Sequence, residues 1–281
     1  MAQEYLPSGA TTLASWLLAS GAAGSGFAAG CQLLIPDGTQ NIVTAVDQSA
    51  VAYGLSFEVA RLFSGNIGTA ASPLRYAWSD GSAAEKSSGN TEGYFKYFAG
   101  GGSCYLYCTN AAPTTTDNIF QNSPGAKLFL TNGTVSFMHI ENGLLDVNTN
   151  CVITNFDGYG GSSTIDVQAT PTNITNMTVW GGVHTLKRAV TGTLTINGGT
   201  VIYDYELAVA GTVAINGGTF DHRAGPITTL NHNAGIHDTT RMRRLSTVTT
   251  CTRKPNSVYR GTRVGGPLTI TNDYNIGFIT L

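Results

Sequence analysis

The chain has 281 residues, of which 42% are hydrophobic, 35 are glycine and only 11% are charged, against about 25% charged residues in ordinary soluble domains. That length can bury a large core, while the scarcity of charge and of helix-forming runs argues against helix bundles and nucleotide-binding α/β folds and for stacked β structure with many turns. The net charge of −2 hides an uneven layout: the first 60 residues hold no Lys or Arg, whereas residues 239–271 hold seven basic side chains and no acidic one, so this segment is +7 and the remainder −9.

At the N-terminus, "MAQEYLPSGATTLASWLLASGAAGSG" has Glu4 where a secretory signal needs positive charge, and its apolar run is too short to span a bilayer. The expectation is a protein made and kept in a cytosol. Leu13, Trp16 and Leu17 recur at helical spacing after a Thr cap, which predicts a short amphipathic helix over residues 11–20. "QLLIPDGTQNIVTAV", "YGLSFEVARLF" and "GYFKYFAGGGSCYLYCT" read as strands joined by loops. Residues 1–110 are accordingly expected to form a capping and docking region. Residues 111–126, rich in Thr, Asn and Pro, read as a linker.

The five cysteines (Cys31, Cys104, Cys108, Cys151, Cys251) are odd in number and scattered, unlike a secreted disulfide framework, and read as free thiols. Cys104 and Cys108 lie in one aromatic-rich strand, which separates their Cα atoms by about 13 Å. That spacing suits neither a disulfide nor a shared zinc.

The clearest signal comes later. "TGTLTINGGTV" from Thr191 is answered nineteen residues on by "AGTVAINGGTF" from Ala210, so that Leu194 matches Val213 and Ile196 matches Ile215. Short strands repeated at a fixed interval and separated by Asn-Gly-Gly point to a solenoid whose rungs stack in register. Leu194 and Ile196 would face inward, and Gly198, Gly199, Gly217 and Gly218 would supply the corners. "TNMTVWGGVHTL" and "TNGTVSFMHIENGLLDV" are looser echoes. Residues 127–250 are therefore read as a right-handed parallel β-helix, in preference to an antiparallel sandwich, which has no reason to keep a fixed repeat order.

Glycoside hydrolysis needs two carboxylates about 5 to 10 Å apart, and the candidates are Asp204, Glu206 and Asp221. Superposing the two repeats places Ile202 on Asp221, Tyr203 on His222 and Asp204 on Arg223, which predicts an ion pair in place of a carboxylate pair. Among the histidines (His139, His184, His222, His232, His237), three fall within "DHRAGPITTLNHNAGIHD". They read as exposed loop residues, with a metal site across two rungs as the alternative. Asn-x-Thr triplets at Asn132, Asn173 and Asn176 read as chance in so Thr-rich a chain. No nucleophile elbow, phosphate-binding loop or dinucleotide fingerprint occurs in a supporting context. The expectation is no catalytic residue, no metal and no cofactor.

Residues 251–281 are read as a basic C-terminal arm. Arg241, Arg243, Arg244, Arg253, Lys254, Arg260 and Arg263 are the candidate partner-binding residues, suited to an acidic protein neighbour. The stretch lacks a nucleic-acid motif, so neither nucleic acid nor membrane is the expected partner. Low charge, "INGGT" rungs, "GFAAGCQLLIPDGT" and "LFSGNIGTAASPL" together resemble the β-helical structural proteins of tailed bacteriophages. The resemblance is one of style over about half the chain. It implies a rigid, commonly trimeric post in the virion, made in the host cytoplasm. The expected role is non-enzymatic, a capsid decoration or cement protein on the major capsid protein, with a tail spike or fibre that binds or cleaves host glycans as the alternative.

Overall fold

The computed structural model describes residues 3–13, 16–18, 20–24, 32–44, 47–48, 56–76, 94–108, 118–165, 174–206, 210–261 and 268–275. They form strands, bridges and turns, and the strands stack as parallel coils of a β-solenoid. The chain divides into two units, Met1–Ile153 and Thr154–Leu281.

In the first unit, β1 (Gln3–Tyr5), β3 (Gln32–Ile35), β5 (Ser56–Val59), β7 (Tyr94–Tyr97) and the start of β9 (Asn118–Gly158) pair in parallel, each with the next. A second side is built from β4 (Asp47–Gln48), β6 (Leu74–Tyr76), β8 (Ser103–Cys108) and residues 127–133 of β9. Parallel pairing places like positions above one another, so each inward position becomes a column. Leu33, Phe57, Phe95 and Ile119 make one, Ile35, Val59, Tyr97 and Gln121 its neighbour, and all are buried.

The second unit repeats the plan in shorter coils. β11 (Asn176–Val179), β13 (Thr193–Ile196), β15 (Ala210–Ile215), the first part of β17 (Ile227–Asp238), β18 (Ser246–Arg260) and β19 (Leu268–Asn275) form one ladder. β10 (Ser162–Ile165), β12 (Val183–Leu186), β14 (Thr200–Asp204), β16 (Thr219–Ala224) and the second part of β17 form another. Leu194 lies on Val213 and Ile196 on Ile215, all four buried, as the repeat predicts.

The glycine corners are set by backbone crowding. Gly199 and Gly218 have φ of 68° and 65°, in the left-handed region that L side chains avoid. Each coil's corner carbonyl accepts from the next coil: Thr200 N donates to Gly182 O and Thr219 N to Gly199 O, both at 2.9 Å. Gly198 and Gly217 are required by proximity, since a Cβ there would collide with the carbonyl oxygens of Trp180 and Asn197.

The N-terminal helix is not formed. Leu17–Leu18 is strand β2, antiparallel to β1, and a tight hairpin follows in which Leu18 N donates to Ala22 O at 2.9 Å and Gly24 N to Trp16 O at 2.7 Å. The backbone groups of Trp16 and Leu18 that a helix would have used are taken by this hairpin. Leu13 and Trp16 are nonetheless buried, Trp16 packing edge-on to Phe57 at 6.2 Å. Other boundaries also move. Parallel coils begin at β1 and not at residue 127, residues 118–126 of the expected linker belong to β9, and residues 251–260 and 268–275 of the expected arm are strands β18 and β19. Phe27, Cys31, Asn173, Arg263 and residues 111–117 lie outside the described residues.

Replacing a corner glycine tests the ladder. Gly218→Val places a branched side chain at positive φ with its Cβ about 2.5 Å from Gly199 O, and should cost at least about 2 kcal/mol. Urea unfolding followed by far-UV circular dichroism measures it.

Candidate functional site

The second unit brings together every carboxylate that the sequence offered for catalysis. The superposition holds for Ile202 on Asp221 and Tyr203 on His222, but a register shift after Tyr203 places Asp204 on Ala224. Asp204 therefore is not stacked on Arg223, although its charge still acts on that guanidinium. It is bonded instead by Arg243 from the following loop, and Arg244 pairs with Glu206 at 2.8 Å. Arg223 bends back along its own strand to Asp221 at 2.7 Å, with Arg241 at 3.6 Å from the same carboxylate. The hydrogen bonds that Arg223 donates to Asp221 hold its guanidinium above its usual range. Asp204, Glu206 and Asp221 thus each face a guanidinium of the same chain, and no pair of them stands open as two catalytic carboxylates would.

Part of the basic segment is thus engaged within the chain. Arg253 is buried, occupying the inward position above His232, and its guanidinium forms a two-point contact with Asp273 of β19. Arg260 hydrogen-bonds through its backbone to Thr239, and Lys254 is exposed.

The histidines depart from expectation. His184, His222, His232 and His237 are buried in the coil interior, because their positions in the strands are inward ones: His184 lies under Val201, and His237 over Phe220. His222 Nε2 lies 2.7 Å from Gly225 O and so carries the hydrogen, which leaves Nδ1 to accept from His237 Nε2 at 3.3 Å. His232 Nε2 donates to Gly235 O at 3.0 Å and His184 Nε2 to Gly181 O at 2.9 Å, with Ser163 Oγ at 2.9 Å from His184 Nδ1. The rings of Phe220, His222 and His237 stack at 5.4 to 5.6 Å. Burial keeps these rings neutral. It pulls His184 and His222 down to about 4, lowers His232, and lowers His237 well below its usual value, to which His222, His232 and Arg253 add repulsion. Among the described residues no three His, Cys, Asp or Glu side chains converge as metal ligands. His139, in the first unit, is half-buried and stacks on Phe120 at 4.6 Å.

Cys104, Cys151 and Cys251 are buried and form no disulfide among the described residues. Burial pushes the Cys104 thiol upward and Cys251 to about 11, so neither is a nucleophile at neutral pH. Asn176, of the Asn-x-Thr triplets, has its amide in a ladder with Asn155 and with Thr193 N.

Outward positions make columns too. The residue before each corner runs Tyr159, Trp180, Asn197, Asn216, Asn233. The two aromatic rings stack at 6.1 Å and are about half exposed, and the amides pass hydrogen bonds from Asn233 to Asn216 to Asn197 at 2.8 and 2.9 Å. In the first unit a groove of about 350 Å³ opens among residues 41–44, 66–72 and 103–105. Sequence reasoning missed it, having found no motif there. A smaller hollow of about 250 Å³ lies by Arg61, Phe98 and Asn122.

No protein-family model, curated protein or solved structure matches this chain.

The interior histidines make a pH prediction. An unfolded histidine takes up its proton near pH 6.5, whereas the folded ones resist until about pH 4. Between those limits the unfolded chain binds more protons, so stability is full above about pH 7 and is lost as pH falls from 6.5 towards 4. For His184 alone, a depression from 6.5 to about 4 corresponds to about 3 kcal/mol at the acid end. Thermal melts from pH 7.5 to 4.5 should show the decline, and His184→Val, which copies Val201 of the next coil, should make it shallower.

Proposed function

We propose that this chain is a non-enzymatic structural protein, a β-solenoid that decorates and stabilises a larger protein shell. The resemblance to β-helical phage proteins supplies the finer assignment: a virion protein, made in the host cytoplasm, that docks on the major capsid protein, itself assembled as a homo-trimer. The observation that carries the reading is the internal neutralisation of Asp204, Glu206 and Asp221 by Arg243, Arg244, Arg223 and Arg241. Carboxylates held in this way brace successive coils.

The same pairs change how docking is pictured. With Arg241, Arg243, Arg244 and Arg253 of the seven candidate basic side chains paired within the chain, apolar contact carries more of the association than charge does. Trp180 and Tyr159 form an exposed stacked pair and Leu245 is 85% exposed. Exposed large apolar groups of this kind mark interaction surfaces.

Two measurements test the proposal. Incubated with emptied capsids and with detached tails, the protein should sediment with capsids. Trp180→Ala combined with Leu245→Ser should lower occupancy at least tenfold, while the circular dichroism stays unchanged. Incubated with host surface polysaccharide, it should release no reducing ends. Depolymerisation that disappears in Asp204→Ala or Glu206→Ala would replace the structural reading with an enzymatic spike.

A further inference from the structure

The sequence holds four Asn-Gly pairs: Asn132-Gly133, Asn142-Gly143, Asn197-Gly198 and Asn216-Gly217. An asparagine followed by glycine is the side-chain amide most open to attack by its own backbone, because no side chain shields the following nitrogen. The fold treats these pairs differently.

Asn197 and Asn216 are locked. Asn216 Nδ2 donates to Asn197 Oδ1 at 2.9 Å and Asn233 Nδ2 to Asn216 Oδ1 at 2.8 Å, so both carboxamides are held along the coil stack. The nitrogens that would attack them are engaged as well, Gly198 N donating to Val179 O at 3.2 Å and Gly217 N to Ile196 O at 3.1 Å. Attack would require both sets of contacts to break. The side chain of Asn132 lies outside the described residues.

Asn142 is arranged for the reaction. It is exposed, and its Oδ1 accepts from Gly143 N at 3.0 Å, so nucleophile and carboxamide are already in contact, which removes most of the entropic cost of bringing them together. Asn142 Nδ2, the leaving group, has no partner among the described residues. Glycine is obligatory at the next position, since φ is 101° and a Cβ would collide with Ser123 O. Contacts on both sides hold the arrangement: Asn122 Nδ2 donates to Glu141 Oε2 at 2.7 Å and Gln121 Nε2 to Leu144 O at 2.9 Å.

We propose that Asn142-Gly143 is a site of spontaneous covalent modification, an amide-to-carboxylate conversion whose co-reactant is water. Hydroxide takes the proton from Gly143 N, and the nitrogen forms a bond to Asn142 Cγ. The Cγ–Nδ2 bond then breaks, ammonia leaving with a proton from water so that hydroxide is regenerated. Water opens the resulting five-membered imide at either carbonyl. Opening at Cγ gives aspartate, and opening at the main-chain carbonyl gives isoaspartate, in which the backbone runs through Cβ and Cγ. Both products place a negative charge beside Glu141, and the second adds one backbone atom to a coil whose neighbours are fixed by register. The change accumulates with time, so it marks the age of a copy and loosens the first unit. The site does not depend on the decoration reading.

The test is storage of the intact protein at pH 8.5 and at pH 6, followed by peptide mapping with mass spectrometry and by labelling of isoaspartate with an isoaspartyl methyltransferase. Asn142 should convert at least tenfold faster than Asn197 and Asn216, and faster at pH 8.5 than at pH 6. Asn142→Gln, whose longer side chain would have to close a larger ring, should abolish the product in that peptide while the circular dichroism stays unchanged. The aged protein should melt below freshly prepared Asn142→Asp, which carries the charge without the extra backbone atom. The proposal is overturned by an Asn142 that stays intact while the same segment converts as a synthetic peptide, by conversion led by Asn197 or Asn216, or by an aged protein that melts together with Asn142→Asp.

Discussion

Within each unit everything depends on the parallel backbone ladder between successive coils. It holds neighbouring strands about 4.8 Å apart and places each residue on its counterpart one coil away. Met177, Leu194, Val213, Leu230 and Cys251 become a single buried column because the ladder registers β11, β13, β15, β17 and β18 in turn. Hydrophobic burial supplies the drive, but the ladder decides which side chains meet. Anything the chain puts at an inward position is buried, whatever its polarity.

That rule accounts for the interior of the second unit. The column Val179, Ile196, Ile215, His232, Arg253 changes from aliphatic to polar towards the last coils. Each polar member needs a partner inside. Backbone carbonyls serve Nε2 of His184, His222 and His232, and Asp273 serves Arg253. The cost is sensitivity to acid, because the carbonyl contacts accept neutral rings more readily than they offset buried charge.

On the outside the same ladder yields either continuous columns or gaps. Where successive coils carry like residues, side chains serve one another, as in the amides of Asn197, Asn216 and Asn233 and the rings of Tyr105 and Phe129. Where a turn imposes glycine, as at Gly68, the column is interrupted and the turn Thr69–Ser72 takes the place of the side chain.

Residues 191–224 alone determined the solenoid, the inward set and the glycine corners, because two successive coils there have the same length and nearly the same residues. Elsewhere the interval varies. Val213 is followed by Leu230 seventeen residues on, then by Cys251 after twenty-one, while Ser56 is followed by Tyr94 after thirty-eight. A ladder fixes which positions stack and leaves loop length free, so coils with unequal loops carry no legible period, and the first unit read as scattered strands. Only the tertiary structure placed Asp204 with Arg243, since a one-residue register shift lies in backbone geometry and not in composition. Only the stacking of coils revealed that four histidines face inward, because inward and outward are defined by the neighbouring coil.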